Sequence, residues 1–148
     1  MIGEEDTKEL AEAGSFGLKM DFESRGDLRA QDLTRLMGNF LLEVVERITD
    51  KQPFIGHVKA FIRTPLGHIQ LNLVDTELGP EIVQTIGDGP ITSGSMNLMA
   101  VIIRTENGKI EEAMRKALEP VALKLKIDIH EHDQTRTIGK LVSLGDKK

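Results

Sequence analysis

The chain has 148 residues, no cysteine, no tyrosine or tryptophan, and a formal net charge of −5. The length suits one domain with a core of ordinary size, and the lack of cysteine excludes disulfide frameworks, thiolate metal sites and cysteine nucleophiles. The acidic excess lies in residues 1–27, where Glu4, Glu5, Asp6, Glu9, Glu12, Asp21, Glu23 and Asp27 outnumber Lys8, Lys19 and Arg25; a neutral remainder without stacking aromatics argues against a nucleic-acid partner.

Residues 1–14, MIGEEDTKELAEAG, are polar and end in glycine, so a flexible acidic N-terminal arm is expected ahead of a single domain over residues 15–145. The opening is acidic where a signal peptide is basic and then apolar, and no apolar run approaches the roughly 18 residues of a membrane span. A cytoplasmic location without membrane contact is expected. The stretch SFGLKMDF places Phe16, Leu18, Met20 and Phe22 on one side and Gly17, Lys19 and Asp21 on the other, the period-2 pattern of a half-buried strand. Gly26 and Asp27 then read as a turn and N-cap. Leu33, Leu36, Met37, Phe40, Leu41, Val44, Val45 and Ile48 follow at spacings of three and four, a long amphipathic helix to about Thr49.

Beyond DKQP the alternation returns. Val58, Ala60 and Ile62 face one way and His57, Lys59, Phe61 and Arg63 the other, before the turn Thr64-Pro65-Leu66-Gly67 and the segment HIQLNLV. Pairing through that turn sets Arg63 opposite His68, Phe61 opposite Gln70 and Lys59 opposite Asn72. ELGPEIVQTI fits a short helix or a strand, and GDGPITSGSMN reads as a glycine-rich loop. LMAVII lacks alternation and predicts a central strand buried on both faces. A second helix carries Ile110, Ala113, Met114, Ala117, Leu118, Val121 and Leu125 in one stripe, and Pro120 predicts a kink or early end near Lys116. KIDIHEH is a strand, and TRTIGKLVSL offers a last edge strand.

This order predicts an α+β fold, a two-layer α/β sandwich of the ferredoxin-like kind, with two helices packed on one face of a mixed, mainly antiparallel sheet of about five strands.

Three clusters carry candidate chemistry. His130 and His132 share a strand face with Asp128, close enough to hold a divalent metal as the only cofactor suggested; a third ligand would come from elsewhere, and His57 and His68 lie too far apart along the hairpin to serve together. The competing reading is a solvated strand face. The loop with Gly87, Gly89, Thr92, Ser93 and Ser95 could form an anion nest or be an ordinary surface loop, and its serines have no evident histidine partner. Lys59, Arg63 and His68 form a cationic patch suited to a small anionic ligand, with Phe61 among them as a sign that a further segment or second subunit covers that face.

No catalytic residue is named. The expectation is therefore a non-catalytic, homo-oligomeric module for ligand binding or protein interaction. The alternatives are a metal-dependent enzyme centred on His130 and His132, and a structural subunit of a larger assembly.

Overall fold

The structure is a computed structural model and describes residues 12–49 and 54–132. The first eleven residues of the expected arm and the expected last strand TRTIGKLVSL lie outside the described residues.

Alternation sets the first strand, β1 (Gly14–Leu28), with Leu18, Met20 and Phe22 turned inward and buried. It runs past the expected turn at Gly26, and a bulge between Glu23 and Leu28 absorbs the irregularity. Helix α1 (Ala30–Thr49) follows, burying its whole three-and-four-spaced stripe. β2 (Gly56–Thr64) and β3 (Gly67–Leu73) form the hairpin in the expected register, with Arg63 opposite His68, Phe61 opposite Gln70 and Lys59 opposite Asn72. Thr64 and Gly67 themselves pair, so only Pro65 and Leu66 turn the chain.

The segment left open between helix and strand is β4 (Glu81–Ile86), antiparallel to β3. Gly79-Pro80 interrupts the chain before it, and the β-branched residues Ile82, Val83, Thr85 and Ile86 favour a pleated strand. β5 (Ile91–Ile102) is twelve residues long, so the expected loop GDGPITSGSMN is corrected: only Gly87–Pro90 turns, and Thr92, Ser93 and Ser95 are strand residues. Gly94 makes this extension possible. A Cβ there would lie 2.4 Å from the Arg63 carbonyl oxygen and 2.7 Å from the Phe22 ring.

Helix α2 (Asn107–Leu125) continues through Pro120, so the expected early end near Lys116 is corrected. The carbonyl that proline leaves without a partner belongs to Lys116, on the exposed side where water can accept that role. Lys126 ends the helix in the left-handed region with its amide bonded to Ala122 and Leu123. β6 (Ile127–Glu131) completes the sheet.

The order is β4-β3-β2-β5-β1-β6, every neighbouring pair antiparallel. There are thus six strands and no parallel pair among the described residues, where about five in a mixed sheet were expected. α1 packs on β2 and β3, α2 packs on β1 and β6, and the helices contact each other over the sheet centre. The strand holding LMAVII is central, between β2 and β1, as expected, but both helices occupy one face, so the expected burial on both sides is corrected. Leu98, Ala100 and Ile102 are buried under the helices, while Met99 on the opposite face is 44% exposed. No helix among the described residues is long and apolar enough to cross a membrane.

Candidate functional site

The second sheet face has no covering layer among the described residues, and register alone decides what meets on it. In the middle of that face, three strands contribute three side chains each. Ser95, Arg63 and His68 form one row across β5, β2 and β3; Asn97, Phe61 and Gln70 form the next; Met99, Lys59 and Asn72 form the third. Neighbouring strands are about 4.8 Å apart and successive same-face residues about 7 Å, so the nine residues span roughly the footprint of a small molecule.

Phe61 stands at the centre of this grid. The Arg63 guanidinium carbon lies 5.2 Å from its ring centroid, and the His68 ring lies 5.5 Å away at a tilt of 39°. The other described phenylalanines belong to the core or pack against it. Arg25, Arg29, Arg35, Arg47 and Arg115 each hold a carboxylate, whereas Lys59 and Arg63 have no ion pair among the described residues. Two exposed cations therefore flank one half-buried ring, with the polar side chains of Gln70, Asn72 and Asn97 around it.

A depression of about 390 Å³ covers the second and third rows of this grid, lined by Lys59, Phe61, Gln70, Asn72, Asn97 and Met99 together with Glu81 and Val83 of β4. Among the described residues, Asn72 Oδ1 in the lining of this depression and His57 Nδ1 outside it are buried without a hydrogen-bond partner. Buried polar atoms ordinarily find partners, so the floor of the depression has unused hydrogen-bonding capacity.

A second hollow of about 500 Å³ lies beyond Arg63 and brings together residues from all three sequence clusters: Arg63, Ser93, Ser95 and His130, with Asp21 and Glu23. Gly87 and Gly89 are elsewhere. They form the β4–β5 turn against Leu66, to whose carbonyl the Gly87 amide donates at 2.9 Å, and Thr92 is exposed outside the lining of this hollow.

The strand beside the histidines of β6 is β1, not the hairpin. His132 Nε2 lies 3.0 Å from Asp21 Oδ2 and His130 Nε2 3.8 Å from Glu23 Oε1, while Asp128 is held by Arg25 at 3.0 Å. Three strand spacings, about 14 Å, separate β6 from His57 on β2, and His68 lies one strand further. Neither can complete a site with His130 and His132. No group of three or more His, Asp or Glu among the described residues could hold a metal ion.

Behind β6, Arg115 of α2 bonds Glu131 and Glu111 and lies over Phe16, 5.7 Å from its centroid. The hydrogen bond to Glu131 raises its pKa above the ordinary arginine value, partial burial opposes this, and Glu111 adds to it.

Asp21 was legible only as a wet position of a strand, Glu23 only as one of the acids of residues 1–27, and Asn97 only as the end of a glycine-rich loop. Their partners follow from strand order, which no local pattern encodes.

Comparison with known proteins adds little to this geometry. No family model matches the chain, and no curated protein does. Among solved structures, the Zn(II)-bound YjiA GTPase from E. coli aligns with a TM-score of 0.38 and 12% identity, covering 79% of this chain and 32% of that one. A Zn(II)-bound triple mutant of the same GTPase aligns with a TM-score of 0.38 and 13% identity, covering 72% and 30%. The chain thus spans about a third of the length of each.

Proposed function

We propose that this protein is a non-catalytic, oligomeric binding module whose open sheet face takes a small anionic ligand with an apolar or planar body. The observation that carries this is the pair of cations, Lys59 and Arg63, on either side of Phe61 and without an ion pair among the described residues. A carboxylate or phosphate would pair with the cations, and the body of the ligand would lie over Phe61 and Met99. Gln70, Asn72 and Asn97 would fix its orientation. The fold is read as a ferredoxin-like variant, because omitting β3 and β4 leaves the order β6-β1-β5-β2 with a helix after β1 and after β5.

The test is titration of isotope-labelled protein with benzoate, citrate and inorganic phosphate, followed by amide shifts. Shifts centred on Lys59, Phe61 and Asn97, weakened about tenfold or more in Arg63→Ala, support the reading. No shifts on this face with any of the three would defeat it.

A second reading, a metal-dependent enzyme, draws on the approach of His132 to Asp21 at 3.0 Å. As they stand, His130, His132 and Asp21 do not form a ligand set, so an ion would require these side chains of β6 and β1 to close on one point, with Asp128 kept by Arg25. Metal analysis and melting in added zinc, manganese and iron test it: no retained metal and an unchanged melting temperature count against it.

A further inference from the structure

The proposal rests on the oligomeric part of the preceding reading and concerns where the copies meet. Both ends of the sheet are free edges among the described residues, but they differ in kind. β6 is five residues long and carries Asp128, His130 and Glu131, charges of the sort that blunt an edge. β4 reads EIVQTI, without lysine, arginine or proline.

Exposed apolar surface concentrates at this second edge. The exposed large apolar side chains among the described residues are Ile55, Val74, Leu78, Ile82, Val83, Met99 and Leu123. Four of them, Val74, Leu78, Ile82 and Val83, lie on β4 or on the connection leading into it.

The hydrogen-bonding phase of β4 is also determined. The Gly87 amide donates to the Leu66 carbonyl, continuing the register in which Gly67 faces Ile86 and His68 faces Thr85. Bonded and non-bonded pairs alternate along an antiparallel ladder. Glu81, Val83 and Thr85 therefore turn their backbone groups to β3, and Ile82, Gln84 and Ile86 hold theirs toward the open edge.

We propose that a second copy of this chain pairs antiparallel along β4, about a two-fold axis through Gln84 and perpendicular to the sheet. In that register Gln84 faces its own copy, Ile82 faces Ile86, Val83 faces Thr85, and Glu81 faces Gly87. All three outward-bonding residues then pair, giving roughly six backbone hydrogen bonds with no like charges directly opposed. The inner and outer faces run on unbroken across the axis, and the contact closes on itself. A six-residue strand pair buries less than the about 800 Å² per partner of a standard interface, and Val74 and Leu78 supply the surface that brings it nearer that size. The dimer is accordingly weak, with a dissociation constant in the micromolar range.

The experiment is sedimentation velocity of the 148-residue chain across micromolar to millimolar concentration, beside Gln84→Pro and two single-cysteine variants. Proline at 84 removes an outward backbone donor and the hydrogen bond that Gln84 Oε1 accepts from Thr34 but leaves the β3 ladder intact, and it should weaken the dimer about tenfold or more. Because the chain has no native cysteine, Gln84→Cys reports the axis directly. Facing bonded residues have Cα atoms about 5.5 Å apart, within disulfide reach, so this variant should cross-link on mild oxidation while Leu123→Cys on α2 should not. A chain that stays monomeric throughout overturns both this proposal and the oligomeric reading. An oligomer that ignores Gln84→Pro and fails to cross-link at 84 overturns the β4 contact alone. The cross-link decides the matter if the proline variant fails to fold.

Discussion

Gly94 and Gly17 allow the packing argument to be tested with one substitution at two places. Both lie within the β1–β5 pair, Gly17 opposite Met99 and Gly94 opposite Phe22. A Cβ at Gly17 meets nothing nearer than the Leu98 carbonyl oxygen at 3.8 Å, ordinary contact. At Gly94 it would meet the Arg63 carbonyl oxygen at 2.4 Å and the Phe22 ring at 2.7 Å. Phe22 is 1% exposed and has no space to retreat, and the Arg63 carbonyl belongs to the strand paired with β5. Overpacking costs about 1–3 kcal/mol, and a backbone neighbour places this case near about 3 kcal/mol. At about 2–4 °C per kcal/mol, Gly94→Ala should lower the melting temperature by roughly 6–12 °C. Gly17→Ala should stay within about 0.5 kcal/mol of the parent. Calorimetry and urea unfolding of both variants provide the assay. Combining Phe22→Leu with Gly94→Ala should bring no rescue, because the carbonyl remains in place. Equal, mild effects at the two glycines would refute the reasoning, and recovery in the double variant would assign the clash to the ring.

Other expectations follow from the same geometry. Arg115→Ala removes the link from α2 to β6 and the contact with Phe16, and should cost about 1 kcal/mol after solvent screening, less in high salt, as read by urea unfolding. Its pKa is raised in the folded state, so this contribution is fully present below the ordinary arginine value and is lost only as pH rises through the folded value. The gap between parent and variant should therefore stay level between about pH 6 and pH 10; a gap that closes in that window contradicts the assignment. Pro120→Ala should stabilise by about 1–3 kcal/mol by restoring a helical hydrogen bond to Lys116, and a loss of stability would show that the proline ring is needed for packing. Lys59→Ala together with Arg63→Ala should abolish the benzoate-induced shifts while leaving the melting temperature within about 2 °C, since both side chains are exposed and unpaired among the described residues.

Much of this fold is legible from local pattern because burial is periodic. Leu18, Met20 and Phe22 declare a strand, the α1 stripe declares a helix, and the turn at Pro65 sets the hairpin register correctly to the residue. What fails is also local in cause. EIVQTI carries no alternation because its strand is exposed on both faces, and Gly94 and the serines of β5 look like loop until the space beneath Phe22 explains the glycine. LMAVII looks buried on both sides because side-chain identity does not say which face the helices occupy.

The candidate site divides along the same line. Sequence alone determined that Lys59, Phe61 and Arg63 share a face, since a pleated strand allows no other outcome, and that His130 and His132 share theirs. Tertiary structure alone decided who stands beside them. Strand order gave the histidines Asp21 and Glu23 as neighbours, kept His57 and His68 several strands away, and set Asn97 and Met99 next to Phe61. The physical reason is that alternation is a property of one strand, whereas adjacency comes from packing two helices on one face and from the path by which the chain returns between them.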